Sequence, residues 1–175
     1  MRQVIVITGG IGCGKSTVMS SLKEKFPDAD FFSFDKFTEE LYHESSVRMF
    51  LINNFQTVDR KVISKLVFAN PALKQVLDDY FFPIAEAKLL DLIRQYHRSE
   101  KSIYIECPMF SEMFYRSPEL INNRAKLHVI VVTCDKDEQI SRVMMRDKLS
   151  YNAAVQRVNS RGPQVVGDKT IDTSK

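Results

Sequence analysis

Thr8-Gly9-Gly10-Ile11-Gly12-Cys13-Gly14-Lys15-Ser16-Thr17 carries the pattern G-x-x-x-x-G-K-[ST], with Gly9, Gly14, Lys15 and Ser16 at its fixed positions. The spacing has a mechanical cause. Glycines let the backbone curl into a nest whose N–H groups face phosphate oxygens, and Lys15 reaches the β- and γ-phosphates. The Ser16 hydroxyl can hold a magnesium ion bridging them. A helix opening at Lys15 adds its positive N-terminal dipole to the same anion. The flanks agree with this reading. Val4-Ile5-Val6-Ile7 is a β-branched run of the kind found in buried parallel strands, and Val18, Leu22 and Phe26 follow at steps of four as the core stripe of a helix. Strand, glycine loop and helix stand in order, so residues Gly10 to Thr17 are read as a phosphate-binding loop.

The 175 residues suffice for one domain burying about 70% of its unfolded surface. Apolar residues make up 44% and charged ones 27%, which places the chain among ordinary globular proteins. Net charge is +3 with no long basic run, so nucleic-acid binding is not expected, whereas local arginines could serve a phosphorylated small molecule. Cys13, Cys107 and Cys134 show neither metal-ligand spacing nor a secreted disulfide pattern, which fits a reducing compartment. The apolar runs are strand-sized, short of a membrane span, and the first strand begins within a few residues of Met1. A cytoplasmic protein without a membrane partner is the expectation.

Beyond the first helix, Asp30-Phe31-Phe32-Ser33-Phe34 reads as a second strand ending at Asp35. Ligands of open parallel sheets sit beyond the carboxyl ends of the strands, so Asp35 is placed near the phosphates, with helix capping as its plainer role. Lys36 to about Arg98 reads as almost wholly helical. Val47, Phe50, Leu51 and Phe55 form one apolar face, and Val62, Leu66 and Val67 another. Asn70-Pro71 is a cap followed by a first-turn proline. Pro83 predicts a break or kink in the long pattern that follows. An insert of this length suggests a lobe covering the phosphate site. Ser102 to Glu106 reads as a third strand, with Glu106 and Glu112 as candidates for magnesium or substrate contacts or as plain loop acids. Leu127 to Thr133 reads as a central strand. Asp135 and Glu138 resemble a capping box opening a helix with Ile140, Val143 and Met144 inward. Arg142 and Arg146 share a face of it, and Arg157 and Arg161 follow on a short helix that Ser150 could cap. The four arginines together suggest a mobile cationic clamp. Lys169-Thr170-Ile171 can supply a fifth strand.

With those residues in view, the chain resembles dephospho-coenzyme A kinase, in the nucleotide-kinase branch of P-loop proteins. The likeness covers nearly the whole sequence. It rests on the Thr8 to Thr17 loop, Asp35, Phe68-Ala69-Asn70-Pro71, Pro108 with Glu112, and Arg142-x-x-x-Arg146-Asp147. The resemblance implies a three-layer α/β P-loop fold: a five-stranded parallel sheet with a helical acceptor-binding lobe and a lid. The single domain would then divide into a core (1–35, 99–146 and 164–175), an acceptor lobe (36–98) and a lid (147–163). It also implies transfer of the γ-phosphoryl group of ATP to the ribose 3′-hydroxyl of dephospho-coenzyme A. Asp35 matches the family's general base, and Arg142 and Arg146 match lid-helix arginines that meet the nucleotide.

On this reading Lys15 and the amides of Gly10, Ile11, Gly12, Cys13, Gly14, Ser16 and Thr17 hold ATP. Ser16 ligates Mg2+, and Arg146 closes on the transferring group. Three departures stand out: Phe82-Pro83 where the family usually shows His-Pro, an altered lid over Gln156 to Arg161, and Asp172-Thr173-Ser174-Lys175 in place of an Asp-Asn-Asn-Gly stretch. A kinase for another small acceptor, such as a nucleoside monophosphate, and a nucleotide-binding module without transfer activity stay open as alternatives. A GTPase switch is disfavoured because the Asn-Lys-x-Asp pattern is missing. Cys13, inside the loop and beside a helix start, is either a reactive thiol or a small loop-filling residue.

Overall fold

A computed structural model describes residues 3–174. Met1, Arg2 and Lys175, which the sequence assigns to the core segments, lie outside the described residues. β1 (Val4–Gly9) is buried along its whole length, as expected of a strand covered on both faces. The phosphate loop follows, then α1 (Lys15–Lys25) and β2 (Asp30–Ser33). Four helices come next: α2 (Phe34–Leu41), α3 (Ser45–Phe55), α4 (Arg60–Ala69) and α5 (Pro71–His97). The chain re-enters the sheet at β3 (Ile103–Glu106), passes through α6 (Phe110–Arg116) and α7 (Pro118–Asn122), and returns as β4 (Leu127–Thr133). It then forms α8 (Lys136–Asp147), α9 (Tyr151–Asn159) and the edge strand β5 (Lys169–Asp172).

All strand pairs are parallel, in the order β2-β3-β1-β4-β5. β1 is central, so the loop at its carboxyl end lies where the flanking connections diverge, the place where such sheets bind ligands. The sheet has two apolar faces. Val4, Val6, Ile103, Ile105 and Val129 pack on Leu89, Leu90 and Ile93 of α5 and on Phe110 and Met113 of α6. Ile5, Ile7, Ile130 and Val132 pack on Met19 of α1 and on Cys13. Helix, sheet and helix make the three expected layers. A third apolar cluster joins α2 to α5, with Leu41, Val47, Leu51, Phe55, Ile63, Val67 and Phe81 as its buried members.

Several expectations are corrected. α5 runs unbroken across Pro83. The proline lies on an exposed face, where water can meet the carbonyl that it leaves unpaired, while Phe81 and Phe82 beside it are buried. The first part of α5 belongs to the helical cluster and the later part lies on the sheet, so both cores anchor this helix on either side of the proline. β2 stops at Ser33, because Phe34 turns fully into the core and starts α2. In α1 Val18 and Leu22 pack on the sheet as expected, beside the buried Lys15 and Met19, but Phe26 is an exposed C-cap stacked on Tyr104. In α4 Val67 and Leu66 face the core as expected, joined by Ile63, but Val62 points out. The capping box at α8 does not form: Asp135 makes no side-chain cap, and Glu138 bonds Arg142 one turn on. Asn70 caps α5 and Ser150 caps α9, as the sequence suggests.

Candidate active site

The loop glycines at 9 and 14 meet a close backbone approach and a left-handed turn. Gly9 has φ 144°, and a Cβ there would lie 2.1 Å from the Val132 carbonyl oxygen of the neighbouring strand. Gly14, the N-cap of α1, takes φ 83° in the left-handed region. Lys15 then enters the helix with its side chain folded back along the loop. Its Nζ donates to the carbonyls of Gly10 at 2.8 Å and Gly9 at 3.2 Å, and the residue is 9% exposed. Burial first, and Arg161 second, pull its ammonium below the ordinary lysine range, whereas Glu106 and Asp35 act against that shift. A buried cation held by carbonyl oxygens alone is poised to gain from an anion.

Two carboxylates approach from the segments that follow β2 and end β3. Glu106, at the carboxyl end of β3, is buried and accepts from the Ser16 hydroxyl at 3.1 Å. Asp35 stands in the first turn of α2, exposed, without a hydrogen bond or ion pair among the described residues. Both line a cavity of about 640 Å³ together with Gly12, Gly14, Lys15 and Ser16. Among the described residues no three histidines, cysteines or acids cluster as a metal cage. Magnesium does not require one, since it typically takes one or two protein oxygens and completes its shell with phosphate and water. The hydroxyl of Ser16 beside the Glu106 carboxylate, with Asp35 across the cavity, is a hard-oxygen set that fits Mg2+.

Cations dominate the rest of the wall. Arg60, Arg142, Arg146, Arg157 and Arg161 line the cavity with Lys15, against the acids Asp35, Glu106 and Asp147. Arg142 is a tie rather than a free clamp. It donates to Glu138 at 2.5 Å, to the Thr173 carbonyl at 2.7 Å and hydroxyl at 2.9 Å, and to the Gly12 carbonyl at 3.5 Å. It therefore joins α8, the phosphate loop and the segment after β5. Asp147 bridges the two lid-side helices: Arg146 bonds it through Nε at 2.7 Å and Nη2 at 2.9 Å, and Arg157 reaches it at 2.5 Å. These bonds hold the Asp147 carboxyl below its ordinary value, Arg146 contributing most. Arg157 also lies 4.3 Å over the Phe68 ring and bonds Ser64, so α9 touches α4. Arg161 donates to the Pro108 carbonyl at 2.8 Å. Below α9, Ala154 is buried against Ile140 and Val143 of α8.

A smaller hollow of about 180 Å³ adjoins the main cavity, sharing Phe68 and Arg161 with it. Its wall includes Tyr42, Phe81 and Phe82 and the charged group Lys74, Asp78 and Glu112. Lys74 donates to Asp78 at 2.6 Å and to Glu112 at 3.1 Å. The second oxygen of Glu112, Oε1, is buried without a hydrogen-bond partner. It faces the Arg161 guanidinium at 3.9 Å, an ion pair too long for a hydrogen bond, so it can still accept from a donor.

The structure gathers Lys15, Ser16, Asp35, Glu106, Arg142 and Arg146 around one cavity, with Arg157 and Arg161 completing the arginine group. Glu112 lies in the adjoining hollow instead. Arg60 and Ser64 carried no sequence signal, because they reach the site from a helix far along the chain. A five-stranded parallel sheet whose central strand delivers a lysine-bearing glycine nest into an arginine-lined cavity defines a P-loop kinase, a phosphotransferase. The same fold occurs in shikimate kinase from Bacteroides thetaiotaomicron, with TM-score 0.60 over 97% of this chain and 85% of that one at 12% identity. The sequence profile of dephospho-CoA kinase matches residues 3–169, and the chain belongs to that family. It is 30% identical to the dephospho-CoA kinase of Campylobacter jejuni (strain RM1221) over 174 residues, 92% of this chain and 81% of that protein. The solved dephospho-CoA kinase from Campylobacter jejuni superimposes with TM-score 0.61 at 25% identity, covering 100% of this chain and 90% of the other. No helix among the described residues is long and apolar enough to cross a membrane.

Proposed function

We propose that this chain transfers the γ-phosphoryl group of ATP to the ribose 3′-hydroxyl of dephospho-coenzyme A, giving coenzyme A and ADP. The observation that carries the reading is the convergence of the Lys15 nest, the Glu106–Ser16 pair and Asp35 on one cationic cavity. The loop amides and Lys15 hold the β- and γ-phosphates, and Lys15 exchanges its bonds to the Gly9 and Gly10 carbonyls for phosphate oxygens. Magnesium, when bound, neutralises charge between those phosphates, with Ser16 and Glu106 as the side chains that would hold it.

Asp35 accepts the proton of the attacking hydroxyl or orients it; with no hydrogen bond or ion pair among the described residues, its carboxylate is available for that bond. Arg146, with an exposed side chain bonded to its neighbour Asp147, can turn toward charge that builds on the transferring group. Arg142 places the nucleotide indirectly, by fixing the Gly12 carbonyl and the segment at Thr173.

On this proposal the helical segment 36–98 is the acceptor lobe and 147–163 is the lid. The hollow beside the cavity takes part of the acceptor, offering Glu112 Oε1 to a donor and the rings of Tyr42 and Phe82 to apolar groups. Phenylalanine at position 82 makes that wall apolar where the family usually has an imidazole, so binding there rests on shape and on Glu112. The test is direct: incubate the protein with Mg-ATP and each of a panel of acceptors and weigh the products. A product one phosphoryl group heavier than dephospho-coenzyme A supports the proposal. Phosphorylation of a nucleoside monophosphate alone would replace the acceptor, and ATP binding without acceptor-dependent ADP release would replace the reaction by a binding role.

A further inference from the structure

Two sulfur atoms meet behind the phosphate loop. Cys134, the residue after β4, donates its thiol hydrogen to Cys13 Sγ across 3.2 Å, although 121 positions separate them in sequence. Both are free thiols; Cys13 is buried at 3% exposure and Cys134 is half-buried. A separate cavity of about 210 Å³ opens on the pair, with Gly10, Gln139 and Gly162 also in its wall. Small molecules therefore have a way to these sulfurs other than through the cavity that faces Lys15. Nothing in phosphate binding requires either thiol, and a serine or alanine would fill the same positions. A sulfur contact of this length needs to close by only about 1.1 Å to reach a disulfide bond.

We propose that Cys13 and Cys134 form a dithiol–disulfide site, oxidised by low-molecular-weight disulfides, that controls the phosphate loop. Cys134, the more accessible sulfur, gives up its proton and attacks one sulfur of the oxidant RSSR. The RS–SR bond breaks and one RS⁻ leaves. Cys13 then gives up its proton and attacks Cys134 Sγ, and the mixed disulfide breaks to release the second RS⁻. Two electrons and two protons pass from the pair to the oxidant, which ends as two RSH. Burial and the adjacent Cys13 raise the Cys134 thiol well above its ordinary value, so little thiolate is present at neutral pH and the first attack is slow.

The bond would act on the loop through its backbone. Cys13 N–H bonds the Gly10 carbonyl at 3.3 Å, and the Cys13 carbonyl accepts from Thr173 Oγ1 at 2.9 Å. Drawing Cys13 toward the end of β4 shifts the amides on both sides of it. A misplacement near 1 Å in a positioning element costs on the order of 10²-fold in turnover. This consequence rests on the reading that the loop holds the ATP triphosphate; formation of the bond does not.

The experiment treats the full chain with glutathione disulfide, measures intact mass and non-reduced peptides, and titrates ATP calorimetrically before and after. The expected result is a loss of about 2 Da, a peptide joining Cys13 to Cys134, and ATP affinity lowered at least about tenfold and restored by dithiothreitol. Cys134→Ser, with Cys134→Ala as a second variant, should bind ATP normally and lose nothing on oxidation. A stable glutathione adduct without the joined peptide overturns the proposal, as does a joined pair with unchanged ATP affinity or equal loss in the Cys134 variants. Failure of the reduced wild-type protein to bind ATP would sink the nucleotide reading alone, while the peptide analysis still decides whether the pair forms.

Discussion

Gly9→Ala should be among the most damaging single-methyl changes available in this chain. The added Cβ falls 2.1 Å from the Val132 carbonyl oxygen and 3.1 Å from its nitrogen, both backbone atoms of the adjacent strand. Gly9 pairs with Val132 as the last rung between β1 and β4, so relief requires those two central strands to part by more than 1 Å at their carboxyl ends. Backbone cannot swing aside as a side chain would. Losing one or two hydrogen bonds at this rung costs about 1 kcal/mol each. Holding alanine at φ 144° adds roughly 1–2 kcal/mol. The sum is about 3 kcal/mol, which for a chain of this length lowers Tm by roughly 6–12 °C. Urea denaturation and a thermal melt measure it, with Gly162→Ala as the control, since a Cβ there meets nothing within 4 Å. The control should stay within about 0.5 kcal/mol of wild type. A Gly9→Ala protein equally close to wild type would refute the claim that this glycine is fixed by the approach of β4.

Lys15→Ala should fold normally and lower the transfer rate by at least about 10²-fold, because the buried cation inside the nest is gone; near-normal turnover in a coupled ADP assay would contradict that. Asp147→Asn should remove the bridge between Arg146 and Arg157 and lower stability by about 1 kcal/mol at neutral pH. Because the folded Asp147 carboxyl titrates below its unfolded value of 3.8, this contribution is complete above that value and fades as pH falls through the lower folded one. Urea midpoints of wild type and variant should therefore converge in that acid range, and a gap independent of pH would show that the charge on Asp147 contributes nothing.

Short-range pattern made the heart of this fold legible. The strand, the nest and the start of α1 are contiguous, and each glycine states its own backbone requirement, so local pattern alone locates Gly9, Gly14, Lys15 and Ser16. Asn70-Pro71 and Ser150 behaved likewise, since a cap is decided within three residues. What the sequence hid is long-range. Whether Pro83 breaks a helix depends on which side faces water and on Phe82 being anchored in the core, neither of which its neighbours reveal. Glu138 looked like a capping partner until Arg142, one turn away, claimed it. Arg60 and Ser64 enter the cavity wall only because α4 packs against α5 and reaches Arg157 of α9. Asp35 lines the cavity from the first turn of a helix rather than from the end of a strand, because Phe34 beside it turns into the core.

The central claim is that a glycine nest grips the triphosphate while Asp35 faces the incoming hydroxyl, so binding and chemistry are separable. Asp35→Asn tests it: ATP affinity by calorimetry and the single-turnover rate with dephospho-coenzyme A, measured on the same preparation. Affinity unchanged within about threefold and a rate lowered by roughly 10²–10⁴ is the predicted result. A rate equal to wild type, with product formed normally, would contradict it.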